Sequence, residues 1–325
     1  MLGVWIENDR IDVRRDLPDP SLEPEEAIVR VTLAGICGTD LALLEGYLPR
    51  EAGRIPGHEF VGVVEEGPSD RVGARVVAEI NITCSSFPAR DPACSACAAG
   101  RPSHCRRRSA LGLFGRSGAH AERVAVPVRN LHRVPASVPD EAAVFIEPLA
   151  AAFRVLEQVA IGASTRVAVV GPGRLGLLVA RAIASGGASV LAVGRSSEGI
   201  ERCRRAGVEA TTESGVGSSA FDVIVDCTGD PSGLRVARKL VRPGGTVVVK
   251  STFRSDAPVA LPPVVVDEIT IVGSRCGPFP TAIHSLAEGR IEVVDLVDDL
   301  FPLSDAVAGY ARASESGVAK VLLAP

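Results

Sequence analysis

The sequence predicts a mixed α/β protein of two parts, a small β-barrel or sandwich with long loops and a doubly wound parallel sheet. Three observations predict it. The chain has 325 residues, more than the size at which a single core usually stops growing. Up to about Val134 the apolar segments are short, alternate with period two and are punctuated by Gly and Pro. Beyond Pro135, apolar strands alternate with helical segments, the pattern of a parallel sheet covered on both faces.

Taken in order, the first part holds short strands over residues 3–7, 27–33, 60–65, 75–80 and 121–126. The alternation Ile28-Val29-Arg30-Val31-Thr32-Leu33 fits a half-buried antiparallel strand, and such a scaffold carries its functional residues on loops. Helical spacing of Ala143, Phe145, Ile146, Leu149, Phe153 and Leu156 predicts a helix over 140–159. Strands 166–170, 189–193, 223–226 and 246–250 then alternate with helices 174–185, 198–206 and 232–240. The tail, 282–325, holds a short helix, strands and a helix near 305–313. No internal repeat or low-complexity linker interrupts the chain.

Composition narrows the function classes. With 46% hydrophobic and 23% charged residues this is an ordinary globular chain, and a net charge of -4 gives no electrostatic argument for nucleic acid or an anionic membrane. The run Arg106-Arg107-Arg108 reads as a solvated loop. The first residues lack the basic start and apolar stretch of a signal peptide, and the apolar segment 166–184 is broken by Arg174 and Arg181, short of a membrane span. A cytoplasmic protein is expected. There, eight cysteines do not suggest a disulfide framework, and the crowding of four between Cys84 and Cys105 favours a metal.

Those four are Cys84, Cys94, Cys97 and Cys105, the last three spaced C-x2-C-x7-C. Four thiolates make a closed tetrahedral zinc site that pins a loop and leaves no position for substrate. Cys203, Cys227 and Cys276 stand alone and read as small apolar residues. In the second part, strand 166–170 runs into Gly171-Pro172-Gly173-Arg174-Leu175-Gly176, which opens a helix. In that setting Gly171 permits the tight turn and Gly173 lets a pyrophosphate approach the backbone. Gly176 lets helix and strand pack closely, and the helix N-terminus faces the anion, so a dinucleotide is expected. The next strand ends in Gly194-Arg195-Ser196 instead of a carboxylate, which favours NADP over NAD because Arg195 and Ser196 suit a 2′-phosphate. His58 and Glu59 stand side by side after the turn Ile55-Pro56-Gly57 and before Phe60-Val61-Gly62-Val63-Val64. By themselves they suit a hydrogen-bonded pair as well as a zinc site.

The combination of Gly35-Ile36-Cys37-Gly38-Thr39-Asp40, Pro56-Gly57-His58-Glu59, the cysteine lobe, Glu147-Pro148-Leu149 and the glycine loop resembles the zinc-dependent medium-chain dehydrogenase/reductase superfamily over nearly the whole chain. Glu147-Pro148-Leu149 is closer to the sorbitol and polyol dehydrogenases than to alcohol dehydrogenases with a cysteine as third ligand. The resemblance implies a GroES-like β-barrel catalytic domain, residues 1–146 and 278–325 with its zinc lobe at about 84–105, and a Rossmann dinucleotide-binding domain at 147–277. It implies catalytic-zinc ligands at Cys37, His58 and Glu147, with Glu59 a ligand or a close partner, and Thr39 as the hydroxyl that takes the substrate proton. Cys227 and Thr228, at the end of strand 223–226, would border the nicotinamide. The implied activity is hydride transfer between an alcohol, polyol or sugar-like substrate, or its carbonyl, and NAD(P). The implied assembly is a homodimer or homotetramer pairing through the strand near 264–277.

Three departures stand out. Ala42 occupies the position where many relatives carry a relay histidine. Asp91 occupies the usual first lobe-cysteine position, so that either the stretch 85–93 is an insertion reaching back to Cys84 or the fourth ligand is another group. The chain is somewhat short for the family. The first departure also allows a different reading, a non-catalytic nucleotide-binding or structural protein that retains the fold.

Overall fold

The computed structural model describes residues 1–46, 53–89, 92–252 and 259–325. They form two compact units, one of Met1–Glu147, Ile283–Glu288 and Glu292–Pro325, the other of Pro148–Ala282 and Gly289–Ile291.

The first unit opens on a hairpin, β1 (Gly3–Glu7) and β2 (Arg10–Arg14), turned through Asn8 and Asp9 with positive φ. Strand β3 (Glu26–Gly35) is the longest, ten residues buried on both faces apart from Arg30 and Thr32. Helix α1 (Gly38–Leu44) follows at once, then β4 (Glu59–Glu66) and β5 (Arg75–Ala78). The lobe carries β6 (Asn81–Ile82), α2 (Ser95–Ala98), β7 (Ser109–Leu111) and β8 (Gly115–Arg116), its strands ordered β6-β7-β8. Asp91 lies outside the described residues. Strands β9 (Arg123–Pro127) and β10 (Leu131–Arg133) and helix α3 (Asp140–Ala143) lead to α4 (Ile146–Gln158).

The sequence predicts one helix over 140–159, but the chain breaks it between Ala143 and Ile146. Pro148 supplies the reason. In a continuous helix its missing N–H would orphan the carbonyl of Val144, whereas a restart at Ile146 puts Pro148 in the first turn, where N–H groups have no helical partner.

The second unit is a six-stranded parallel sheet in the order β13-β12-β11-β14-β15-β16. Its strands are β11 (Arg166–Val170), β12 (Ser189–Gly194), β13 (Glu209–Thr212), β14 (Phe221–Asp226), β15 (Val241–Val249) and β16 (Thr270–Gly273). Helices α5 (Arg174–Ala184), α6 (Ser197–Arg205), α7 (Ser232–Leu240) and α8 (Leu261–Val266) connect them, and the order reverses between β11 and β14, where such folds bind nucleotides. Strand β15 starts earlier than the predicted 246, because the register shifts between Phe221↔Val241 and Val223↔Thr246 and accommodates Pro243-Gly244-Gly245. Ala168, Val170, Ile224, Val236 and Leu240 belong to its core.

After α9 (Phe279–Ala287), β17 (Val297–Pro302), α10 (Ala306–Ala313) and β18 (Lys320–Ala324) complete the first unit. Its main sheet has seven strands, β10-β5-β4-β3-β18-β17 with β9 also on β3, so the last strand lies between β3 and β17. Ile36, Leu303, Tyr310, Val321 and Leu323 form its core, each large side chain contributing about 1.5–3 kcal/mol by burial. Among the described residues no helix is long and apolar enough to cross a membrane.

Candidate active site

Cys37 leaves β3 in extended conformation and caps α1. His58 follows Gly57, whose φ of +96° is open to glycine and not to bulkier residues, and it immediately precedes β4. Glu59 pairs in register with Gly35 across β3 and β4, and a Cβ on Gly35 would stand 3.1 Å from Glu59 Oε2. The glycine thus leaves room for the carboxylate. A sulfur of Cys37, a ring nitrogen of His58 and a carboxylate oxygen of Glu59 all lie within 4.8 Å of one another. A thiol, an imidazole and a carboxylate are the donors zinc takes at about 2.0–2.3 Å, so a modest contraction seats an ion with one position left for water or substrate. Glu147, the carboxylate the sequence favours, is half-buried in the first turn of α4 and stands outside this set. Thr39 Oγ1 lies 3.7 Å from Cys37 Sγ, and Ala42 follows one helical turn on.

One buried carboxylate ties the two segments together. Asp40 Oδ2 accepts from Cys37 N at 2.8 Å, while Oδ1 accepts from Gly57 N at 3.2 Å and faces His58 Nδ1 at 3.6 Å. Burial pushes the Asp40 carboxyl up, but the charge of the adjacent His58, with smaller help from His120 and Cys37 N–H, holds it down at about 2. Burial likewise pushes His58 down, and the Asp40 carboxylate, with Cys37 beside it, outweighs it, keeping its pKa well above the ordinary value. Glu59 has its own partner, the ammonium of Lys320 on β18, which also lies 5.3 Å from the Phe145 ring. Both members of that pair are buried.

The lobe is a second cluster. Cys84, Cys94, Cys97 and Cys105 offer sulfurs within 4.8 Å of one another, with Cys84–Cys105 at 3.7 Å and Cys94–Cys105 at 3.8 Å. Four sulfurs about 2.3 Å from a tetrahedral zinc are about 3.8 Å apart, so the set fits a closed structural ion. Cys94 N donates to Cys84 Sγ at 3.2 Å, which brings the distant Cys84 into the set.

In the second unit Gly171 has φ +83°, and a Cβ there would come within 2.7 Å of Thr228 Cα, so the turn admits only glycine. Gly173 caps α5 and has open space where a Cβ would project, as a close phosphate requires. Gly176 approaches the Gly171 carbonyl too closely for any side chain. Beside this turn a cavity of about 300 Å³ is lined by Gly171, Gly194, Arg195, Thr228, Arg235 and Glu213, among others. Ser196 does not line it; its hydroxyl caps α6, accepting from Gly199 N at 3.1 Å. Pro172, Arg174 and Leu175 belong to the turn and the start of α5, and Cys227 to the end of β14, without lining the cavity. Glu213 is held by Lys239 at 3.1 Å and Arg235 at 3.6 Å.

Sequence reasoning missed Asp40, Lys320, Arg235, His120 and Tyr310. A signal existed for Lys320, a lone charge in the apolar run Ala319-Lys320-Val321-Leu322-Leu323, where a buried cation requires a partner.

Comparison with known proteins agrees with this fold. The alcohol dehydrogenase GroES-like domain family matches residues 23–136 and the zinc-binding dehydrogenase family matches residues 175–288. An L-threonine 3-dehydrogenase of Streptomyces avermitilis is 32% identical over 99% of this chain and 96% of its own. A sorbitol dehydrogenase of Halalkalibacterium halodurans is 28% identical over 96% of this chain and 95% of its own. Among solved structures, a zinc-binding dehydrogenase of Sinorhizobium meliloti bound to NADP superposes with a TM-score of 0.89 at 28% identity, over 100% of this chain and 99% of that one. A GroES-like barrel joined to a Rossmann sheet defines the medium-chain dehydrogenase class. The chain belongs to its zinc-binding members, the NAD(P)-dependent alcohol and polyol dehydrogenases.

Proposed function

We propose that this dehydrogenase moves a hydride between a secondary alcohol, polyol or sugar-like substrate, or the matching carbonyl, and NADP in preference to NAD. The carrying observation is an open donor set, Cys37, His58 and Glu59, in a chain that also has a dinucleotide crevice lined by two arginines, Arg195 and Arg235. Relatives named for sorbitol and L-threonine support hydroxylated substrates.

Zinc, when bound, lowers the pKa of a substrate hydroxyl as a Lewis acid, and the nicotinamide takes the hydride. The chain's own residues do the rest. Cys37 and His58 would hold the ion with Glu59 as carboxylate donor, Glu147 is the alternative carboxylate, and the remaining position is left to the substrate hydroxyl. Thr39 takes the hydroxyl proton. With Ala42 at the usual relay position, that proton leaves by water. Arg195 and Arg235 bind the 2′-phosphate, while Cys84, Cys94, Cys97 and Cys105 hold the structural ion. Strand β16 ends its sheet with Ile271 45% exposed, and a second copy pairs there to make a homodimer or a dimer of dimers. Eight cysteines outside any disulfide suit the cytoplasm.

The test is kcat/KM for both cofactors over a panel of alcohols, sugars and aldehydes. NADP is expected to be favoured by about tenfold or more, since hydrogen bonds between charged groups contribute about 1.5–3 kcal/mol, and Arg195→Ala should abolish the preference. A preference for NAD in the unmodified enzyme sinks the NADP assignment. One zinc per chain with no turnover on any substrate would instead favour a nucleotide-binding protein.

A further inference from the structure

His120 is fully buried between the two segments that carry Cys37 and His58. Its Nε2 stands 3.2 Å from the carbonyl of Gly35, two residues before Cys37, and its Nδ1 stands 2.8 Å from Tyr310 Oη. A carbonyl only accepts, so the proton sits on Nε2 and Nδ1 accepts from the Tyr310 hydroxyl. Both ring nitrogens are satisfied with the imidazole neutral. Burial pushes the His120 pKa down, which outweighs the upward pull of the Asp40 carboxylate and agrees with that state.

The same residue holds the other segment. His120 N donates to Pro56 O at 2.9 Å, and a Cβ on Gly57 would meet His120 Cδ2 at 2.3 Å, so the ring lies directly against the turn that presents His58. Tyr310 comes from α10, is 1% exposed, and meets the imidazole edge to face with ring centroids 5.7 Å apart. Two apolar rings would fill this space equally well. The polar pair adds directional bonds, and they end on the backbone that places the thiol.

We propose that His120 and Tyr310 are positioning residues for the metal centre, fixing the backbone around Gly35 and Gly57 so that Cys37 and His58 stay at the separation an ion requires. This rests on the reading that Cys37 and His58 hold zinc. Tyr310 orients His120, and His120 clamps both ligand-bearing segments at once.

Purified holoenzyme is challenged with a chelator while zinc release is followed, in the unmodified protein and in Tyr310→Phe, His120→Phe and Cys37→Ser. Tyr310→Phe, which keeps the ring and deletes only the hydroxyl, is expected to release one zinc about tenfold faster, at the lower end of what loss of a ligand's supporting partner costs, while the lobe zinc leaves at its unmodified rate. The cobalt-substituted variant should show an altered visible ligand-field spectrum. Unmodified release rates and spectrum in Tyr310→Phe overturn the proposal, as does equal acceleration of both zincs, which would mark a general loss of stability. Should His120→Phe fail to fold, Tyr310→Phe decides alone. Cys37→Ser separates the two claims, since full zinc content in that variant sinks the ligand assignment itself. Loss of one zinc there with unmodified release in Tyr310→Phe sinks only the positioning role.

Discussion

The two donor clusters of the first unit are built on opposite plans. The lobe gathers four like donors from one segment, Cys84 to Cys105, and its own backbone N–H groups steady them. The other cluster gathers three unlike donors from residues 37 and 58–59 and relies on Asp40 of α1 and Lys320 of β18. A closed set of thiols needs little beyond its own loop. An open set gives up one protein contact, and the surrounding barrel has to supply the order that contact would have given.

The strongest way to break this contrast is Cys37→Ala. It should lower kcat by about a thousandfold or more, the equivalent of the several kcal/mol a metal contributes, and remove one zinc per chain while leaving the lobe zinc and NADP binding intact. Full activity sinks the open-site assignment. In the same assay Glu59→Ala should lose zinc more readily than Glu147→Ala, and the reverse order would restore Glu147 as the ligand. Next in size is Lys320→Met, which strands a buried carboxylate and should cost the zinc-free protein about 3–5 kcal/mol in denaturant unfolding. Added zinc should recover more stability in this variant than in the unmodified protein, because the ion replaces the missing positive charge. Equal zinc increments would show that Glu59 lies out of the ion's reach.

Cys84→Ser tests the lobe. A fall in Tm of about 5 °C with near-normal kcat per folded molecule is expected, and a collapse of kcat at unchanged Tm would contradict a purely structural role. The smallest effects are those of pH on zinc-free protein, where His58 and Cys94 should carry opposite signs. His58, raised above its ordinary value by Asp40 and Cys37 despite burial, contributes stability below about pH 6.5 that is lost as pH rises through its folded-state value. Cys94 is lowered to about 6, first by the backbone N–H of Cys97, so its contribution is present above the unfolded thiol value and is lost as pH falls through 6. Calorimetry should then show the Tm deficit of Cys94→Ser growing between pH 6 and 9 and that of His58→Gln shrinking. Deficits independent of pH in both variants would remove the contrast.

Much of this was legible in the sequence because it is local. The strand, glycine turn and helix at 166–184 form one continuous pattern, and the lobe cysteines lie within one stretch of chain. The break in the helix at Val144 and Phe145 was also within reach, since Pro148 forces it. What could not be read depends on register. That Glu59 faces Gly35, and that Lys320 reaches Glu59, follows from β3 pairing with both β4 and β18, and no periodicity within one segment encodes a pairing between residues more than two hundred positions apart. His120 gave no signal for a similar reason. Its partners, at 35, 56 and 310, meet only when the barrel closes.

Because β18 lies between β3 and β17, the sheet of the first unit is completed by residues that follow the second unit along the chain. On the ribosome, nearly the whole nucleotide-binding unit emerges before Lys320 is synthesised, and a nearly contiguous unit of that kind folds as soon as it is available. During that interval Glu59 stands without its cation and α10 has not delivered Tyr310. The order of synthesis therefore makes the nucleotide site the early product of folding and the metal centre the late one, with the most distant pairings of the chain closing last.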